Sequence, residues 1–145
     1  MPEIQINYLA VLVAVVATFI FGFIWYTPLF GKAWAKEMGI DMSVKPSGGA
    51  MAKGMTLMVV GNFLMAWVFA HNLAVWNPET WGQGAMENPL AVFALSASFF
   101  TWLGFFLPVD LSTLAWENKS FKLFAINTSY HLLSLIIAAM ILAHM

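Results

Sequence analysis

The sequence predicts an all-α fold: an integral membrane bundle of four transmembrane helices, with a short interfacial amphipathic helix after the first. The chain of 145 residues is 61% hydrophobic and 9% charged, with a mean hydropathy of +0.81. It is therefore more apolar than a soluble domain of this size can bury. Four runs of about 20 apolar residues have the length that crosses roughly 30 Å of hydrocarbon. We predict a single transmembrane domain over residues 1-145, with helices at about 7-26, 54-76, 89-116 and 121-144.

The charges and the absence of cysteine exclude several classes of protein. All six cations are lysine and the formal net charge is -1, so no basic surface for nucleic acid is expected. Without cysteine there are no disulfides, thiolate nucleophiles or iron-sulfur ligands. The amino end lacks a basic region, and no small-residue cleavage site follows the first apolar run. We therefore expect helix 1 to be retained rather than removed as a signal peptide.

Helix 1 combines an interfacial end with a face of small residues. Trp25 and Tyr26 mark a water interface, and Pro28 is expected to end the helix because it has no backbone donor. Small side chains recur at every fourth position: Ala10, Ala14, Thr18 and Gly22. This spacing lets another backbone approach closely, so it predicts a packing seam, either within one chain or between two protomers.

The connection after helix 1 predicts the interfacial helix, because segment 29-38 separates apolar from basic side chains. The apolar face consists of Phe30, Trp34 and Met38, and the basic face of Lys32 and Lys36. Gly39 is a candidate C-terminal cap, and residues 45-49 are expected to form a flexible turn. The alternative is an irregular loop tethered by Trp34.

Three further features organise the rest of the chain. Helix 2 carries Asn62 in its first half and is followed by a loop, 77-88, that is rich in turn residues. Pro108 interrupts helix 3, so a kink and an under-satisfied carbonyl at Gly104 are expected. The short turn 117-120 makes helices 3 and 4 antiparallel neighbours.

The lysines predict the orientation of the bundle. They are confined to the connection between helices 1 and 2 and the turn before helix 4: Lys32, Lys36, Lys45, Lys53, Lys119 and Lys122. Because lysine-rich loops stay in the cytoplasm, both termini are predicted to lie on the external side. The chain also permits a parallel duplication of two helix pairs, with Asn62 and Asn127 at comparable depths. Coincidence is the alternative.

Helix 4 carries polar residues although it has the length and composition of a membrane helix. Asn127, His131 and Ser134 fall on one helical face. An amide or imidazole facing lipid is costly, so this face should point towards other helices or a small wet cavity.

Depth counting brings other polar residues to the same level. At about 1.5 Å per residue, Asn127 and His131 lie roughly 10 and 16 Å from the turn before helix 4, and Asp110 and Asn62 lie roughly 10 and 12 Å deep. Ser134 lies on the same helical face and is expected to have only a secondary role in this layer. With one neighbour added, the candidate polar layer and ligand site is Asn62, Asp110, Asn127, Tyr130 and His131. We further expect Asp110 and His131 to be coupled.

Two interpretations of this layer remain open. It is either a ligand-binding or proton-responsive pocket that opens towards the cytoplasm, or a buried network that fixes the register of the helices. For Asp110 alone, a position facing the water of the headgroup region is a further alternative.

No metal ion, cofactor or catalytic residue is predicted. His71 and His131 differ in depth by roughly 10 Å, so they are poor axial partners for a haem. An external metal site of His71, His144 and Glu79 or Glu87 lacks compact ligand spacing. Motifs for nucleophilic catalysis or phosphate binding are not found.

Two stretches of the sequence carry a family resemblance. They are the segment from Trp25 to Trp34 and the segment from Lys122 to His131. They resemble the bacterial membrane family known as domain of unknown function 1761, and the similarity covers nearly the whole chain. The family pattern falls on Trp25, Tyr26, Pro28, Leu29, Phe30, Gly31, Lys32, Trp34, Asn127, Tyr130 and His131. Thr27 departs from the pattern, which has glycine there. The resemblance implies an inner-membrane location and supplies no activity.

These observations favour a non-enzymatic structural or accessory subunit of a membrane assembly. Its partners would be the lipid bilayer and either a second copy of the chain or a larger complex, met through the seam of helix 1. The alternative is a small-ligand or proton-coupled binding or transport protein that uses the intramembrane polar layer.

Overall fold

The computed structural model describes residues 2–145, and that range contains helices, turns and loops but no strand. The helices are α1 (Tyr8–Ile24), α2 (Gly31–Met38), α3 (Gly48–Trp76), α4 (Leu90–Thr101), α5 (Leu107–Trp116) and α6 (Phe121–His144). A π-helical turn, Trp25–Leu29, extends α1, and a second one, Trp102–Phe106, joins α4 to α5. The four spans Tyr8–Leu29, Gly48–Trp76, Leu90–Trp116 and Phe121–His144 are long and apolar enough to cross a membrane. They indicate a multi-pass membrane protein.

The centre of the bundle is the antiparallel pair of α1 and α6. At one end, the Asn7 side chain donates from Nδ2 to the Met145 carbonyl oxygen at 3.1 Å. At the other end, Trp25 Nε1 donates to the Ile126 carbonyl oxygen at 3.1 Å. The start of α1 and the end of α6 therefore lie side by side. Helix α3 packs against both central helices, and the α4–α5 span packs against α6.

The small-residue seam predicted on helix 1 is buried inside this single chain. Ala10, Ala14, Thr18 and Gly22 all face the neighbouring helices. A Cβ atom on Gly22 would lie 2.9 Å from the Tyr130 hydroxyl oxygen, so this position needs glycine. The sequence left open whether this seam packs within one chain or between two protomers, and the structure shows packing within the chain.

The two prolines predicted to interrupt helices 1 and 3 both lie next to or within π-helical turns. Pro28 lies within the π-helical turn, where Phe30 donates its backbone N–H to the Trp25 carbonyl oxygen at 2.9 Å. The prediction that helix 1 ends at Tyr26 was therefore too short by about one turn. In helix 3, the second π-helical turn immediately precedes Pro108, which occupies the first turn of α5. The sequence predicted a kink and an under-satisfied carbonyl at Gly104, and the structure has a π-helical turn that contains Gly104.

Helix α3, which the sequence analysis predicted as helix 2, begins at Gly48, six residues before the predicted start at 54. Ser47 caps α3 by accepting a hydrogen bond from the Ala50 N–H at 3.2 Å, so Gly48 and Gly49 belong to the helix and not to a flexible turn. The predicted helix α2 is present, and Gly39 ends it in the left-handed conformation, with φ of 70°. Its residue Trp34 and the preceding Phe30 pack against the bundle. The interfacial prediction did not include this protein contact.

Candidate functional site

Helix α6 organises the polar side chains of the bundle into two regions. We define the aromatic cluster as Phe21, Trp25, Tyr26, Phe30, Trp34 and Tyr130. We define the polar cleft as the hollow of about 320 Å³ between α3, the α4–α5 span and α6 that is lined by Asn62, Phe106, Tyr130, His131 and Ser134. Tyr130 belongs to both regions and separates them.

The imidazole of His131, which lines the polar cleft, is paired with the carboxyl group of Asp110. His131 Nδ1 lies 2.8 Å from Asp110 Oδ2, and Asp110 is buried. The depth argument placed both residues at one level, and the structure joins them directly. Where Asp110 is ionised it can only accept a hydrogen bond, and Nδ1 of His131 then carries the proton. The other ring nitrogen, Nε2, then accepts a hydrogen bond when the ring is neutral and donates one when it is charged.

Two polar atoms of the polar cleft are buried without a hydrogen-bond partner. They are Nδ2 of Asn62 on α3 and Oγ of Ser134 on α6. Asn62 is 8% exposed and Ser134 is 5% exposed, and both line the same cavity as His131. A buried donor without a partner costs about 1–3 kcal/mol, so such groups are uncommon in proteins. The cleft therefore offers unused hydrogen-bonding capacity beside a titratable ring.

Helix periodicity explains how α6 presents two of these groups together. Ser134 follows His131 by three residues, which places the two side chains on neighbouring positions of one face. Phe106, the last residue of the second π-helical turn, packs its ring against His131 with centroids 5.2 Å apart. The α4–α5 irregularity thus brings an aromatic wall to the cleft and positions the helix that carries Asp110.

Asn127 does not join the residues that line the polar cleft. Its Oδ1 accepts a hydrogen bond of 2.9 Å from the Tyr26 hydroxyl group, so it belongs with the aromatic cluster. The predicted single layer of four groups is therefore divided. Sequence reasoning also underrated Ser134, although its place on the His131 face was the signal that could have identified it.

The other histidines bond to backbone within their own helices. Nδ1 of His71 lies 2.8 Å from the Trp67 carbonyl oxygen, and Nδ1 of His144 lies 2.8 Å from the Met140 carbonyl oxygen. Within residues 2–145, no three histidine, aspartate or glutamate side chains are grouped so that they could hold a metal ion.

Two segments carry the family resemblance, and the segment from Trp25 to Trp34 contributes most of the aromatic cluster. The ring of Tyr26 packs edge-on against Trp34 and Tyr130, with centroid distances of 5.6 and 4.9 Å. A Cβ atom on Gly31 would lie 2.7 Å from the Tyr26 carbonyl oxygen, so the close approach of α2 requires glycine. Lys32 is exposed. These residues fix the junction of α1, α2 and α6.

Comparison with curated proteins and with solved structures finds no match. The family model described as "Protein of unknown function (DUF1761)" matches residues 9–143, nearly the whole chain. The match includes both the aromatic cluster and the polar cleft. The chain belongs to the DUF1761 family.

Proposed function

We propose that this protein binds a small ligand inside the membrane, in the polar cleft. One observation carries the proposal: Asn62 Nδ2 and Ser134 Oγ are buried without a hydrogen-bond partner in the protein, and both residues line the cavity that His131 also lines. A ligand with a hydrogen-bond acceptor would satisfy both groups. This is the alternative that the sequence left open, and burial of the helix 1 seam inside the chain removes the main support for the accessory role.

Analysis of co-purified molecules tests the proposal. The protein is extracted from its membrane in a mild detergent, and native mass spectrometry identifies retained compounds. The parent is expected to hold a ligand that the double variant Asn62→Leu, Ser134→Ala loses. Ser98→Ala is the matched control, because Ser98 is also buried but donates to the Ala94 carbonyl oxygen at 2.8 Å. Identical compounds on the parent and the double variant would contradict the proposal.

We also propose an inner-membrane orientation with the termini outside. The lysines support it, since all six lie at the end of the bundle where α1 ends and α6 begins. Single-cysteine variants of this cysteine-free chain test the orientation. In intact cells, an impermeant maleimide should label Glu79→Cys and should not label Lys32→Cys. Labelling of Lys32→Cys from outside would reverse the topology.

A non-enzymatic accessory role is the second candidate, and the outer face of the α4–α5 span favours it. Val109 is 67% exposed on this span, which is the least covered of the four. A second copy or a larger complex would cover this face. Cross-linking through Val109→Cys in native membranes, with Phe23→Cys on the exposed side of α1 as the control, distinguishes a specific contact from random collision.

A further inference from the structure

The polar cleft is the first of three neighbouring hollows between α3 and the α4–α5 span. A second hollow of about 340 Å³ shares Met65, Phe106 and Leu135 with it. A third hollow of about 630 Å³ shares Phe69 and Thr101 with the second. The three hollows therefore lie side by side along α3, and we call this row the groove.

The groove is mainly apolar along its whole length, and the unpaired polar atoms of Asn62 and Ser134 lie at one end of it. Beyond the Asn62 end, aromatic side chains dominate the third hollow, together with Asn72, Ser96 and Thr101. Its aromatic lining is Phe69, Trp76, Phe93, Phe100 and Phe105. Asn62 and Trp76 are separated by roughly 21 Å along α3, at about 1.5 Å per residue. This exceeds the roughly 15 Å depth of one hydrocarbon leaflet, so the groove suits a long hydrocarbon chain.

The depth of the polar end limits the kind of head group that it can receive. Asn62 lies roughly 13 Å beyond Lys53 along α3, close to the middle of the hydrocarbon. A phospholipid keeps its charged head group at the surface and cannot place it there. A charged head group of either sign is costly at that depth. The head group that fits is neutral and lies wholly within the membrane.

The unpaired atoms define the chemistry of this head group. Asn62 Nδ2 can only donate a hydrogen bond, and the Ser134 hydroxyl group can donate a second one. A carbonyl oxygen accepts both. Phe106 and Tyr130 line the same space, and aromatic rings pack favourably against a flat group.

We infer that the ligand is a neutral, carbonyl-bearing molecule with a long hydrocarbon tail. Its carbonyl group binds Asn62 and Ser134, and its tail lies along the groove towards Trp76. This inference rests on the proposed ligand-binding function and specifies the ligand class. Two sources share the chemistry: a quinone ring with a hydrocarbon tail, and a neutral acyl ester.

Binding of defined probes to the protein in lipid nanodiscs tests the inference. The probes are a decyl-tailed benzoquinone and the same ring without the tail, titrated by quenching of tryptophan fluorescence. Ser96→Phe fills the tail section at an exposed position, and Ala97→Phe fills it from the adjacent position. Leu95→Phe is the matched control, because Leu95 is exposed and lies outside the groove. Thermal unfolding confirms that each variant is folded.

Ser96→Phe is expected to weaken binding of the tailed probe about tenfold, equal to about 1.4 kcal/mol, and to leave the tail-less ring unchanged. Asn62→Leu should weaken both probes. If both groove variants bind the tailed probe like the parent while Asn62→Leu binds neither, the tail assignment is wrong and the ligand site survives. If the parent binds neither probe, or Asn62→Leu binds both like the parent, the ligand class is wrong. Displacement of the quinone by monoolein assigns the acyl source, and no displacement assigns the quinone source.

Discussion

The aromatic cluster and the polar cleft lie on the same helix but treat their polar groups differently. In the aromatic cluster, Trp25 donates to the Ile126 carbonyl oxygen, and Tyr26 donates to Asn127. In the polar cleft, Asp110 and His131 pair, whereas Asn62 Nδ2 and Ser134 Oγ have no partner. Buried groups with partners hold helices together, and buried groups without them reserve capacity for something else. The proposed binding site is therefore the polar cleft and not the aromatic cluster.

The largest effect should come from the aromatic cluster. Trp25→Ala removes a buried indole ring and its hydrogen bond to α6, so we expect a loss of about 3–5 kcal/mol in the free energy of unfolding. Trp116→Ala is the control, since Trp116 is 85% exposed, and it should change stability by less than about 0.5 kcal/mol. Unfolding followed by circular dichroism in detergent measures both. Equal losses would mean that the aromatic cluster is not the structural centre of this junction.

The pair of His131 and Asp110 should give the next largest effect. His131→Ala leaves the Asp110 carboxylate buried and unpaired. Because the His131 side chain is 29% exposed, we expect a loss of about 2–3 kcal/mol, below the range for a fully buried pair. The double variant His131→Leu, Asp110→Leu should recover most of this loss. A double-mutant cycle provides the coupling free energy, and a value near zero would place both groups in water.

The distinction between paired and unpaired polar groups is sharpest in two buried serines. Without ligand, Ser134→Ala should leave stability unchanged or raise it by about 1 kcal/mol, because it removes an unsatisfied hydroxyl group. Ser98→Ala removes a satisfied one and should lower stability by about 0.5–1.5 kcal/mol. Urea unfolding of both variants in the same detergent measures the difference. Losses of equal size would show that Ser134 has a partner in the folded protein.

The sequence predicted the helices better than the side-chain partners. Hydrophobic length alone placed the four spans, because membrane-length helices carry a strong signal, and depth counting matched Asp110 with His131. Depth does not give rotation about the helix axis. The Tyr26 hydroxyl group reaches Asn127 from the π-helical turn, and nothing in the local sequence indicates that a proline-containing segment continues as a helix. The burial of Ser134 was likewise not predictable, because it depends on the packing of α6 against α3.

The smallest effect tests whether α2 is docked on the protein or only on the membrane surface. Ser120 caps α6 by accepting from the Leu123 N–H at 3.1 Å, and it also donates to Glu37 Oε2 of α2. Ser47 caps α3 without such a contact, so it is the matched control. Removing either cap should lower stability by about 0.5–1 kcal/mol. Ser120→Ala should cost more than Ser47→Ala, and Glu37→Gln should reduce that difference. If the two caps contribute equally in the parent and in the Glu37→Gln variant, aromatic packing alone holds α2 on the bundle. The hydrogen bond between Ser120 and Glu37 then adds nothing to stability.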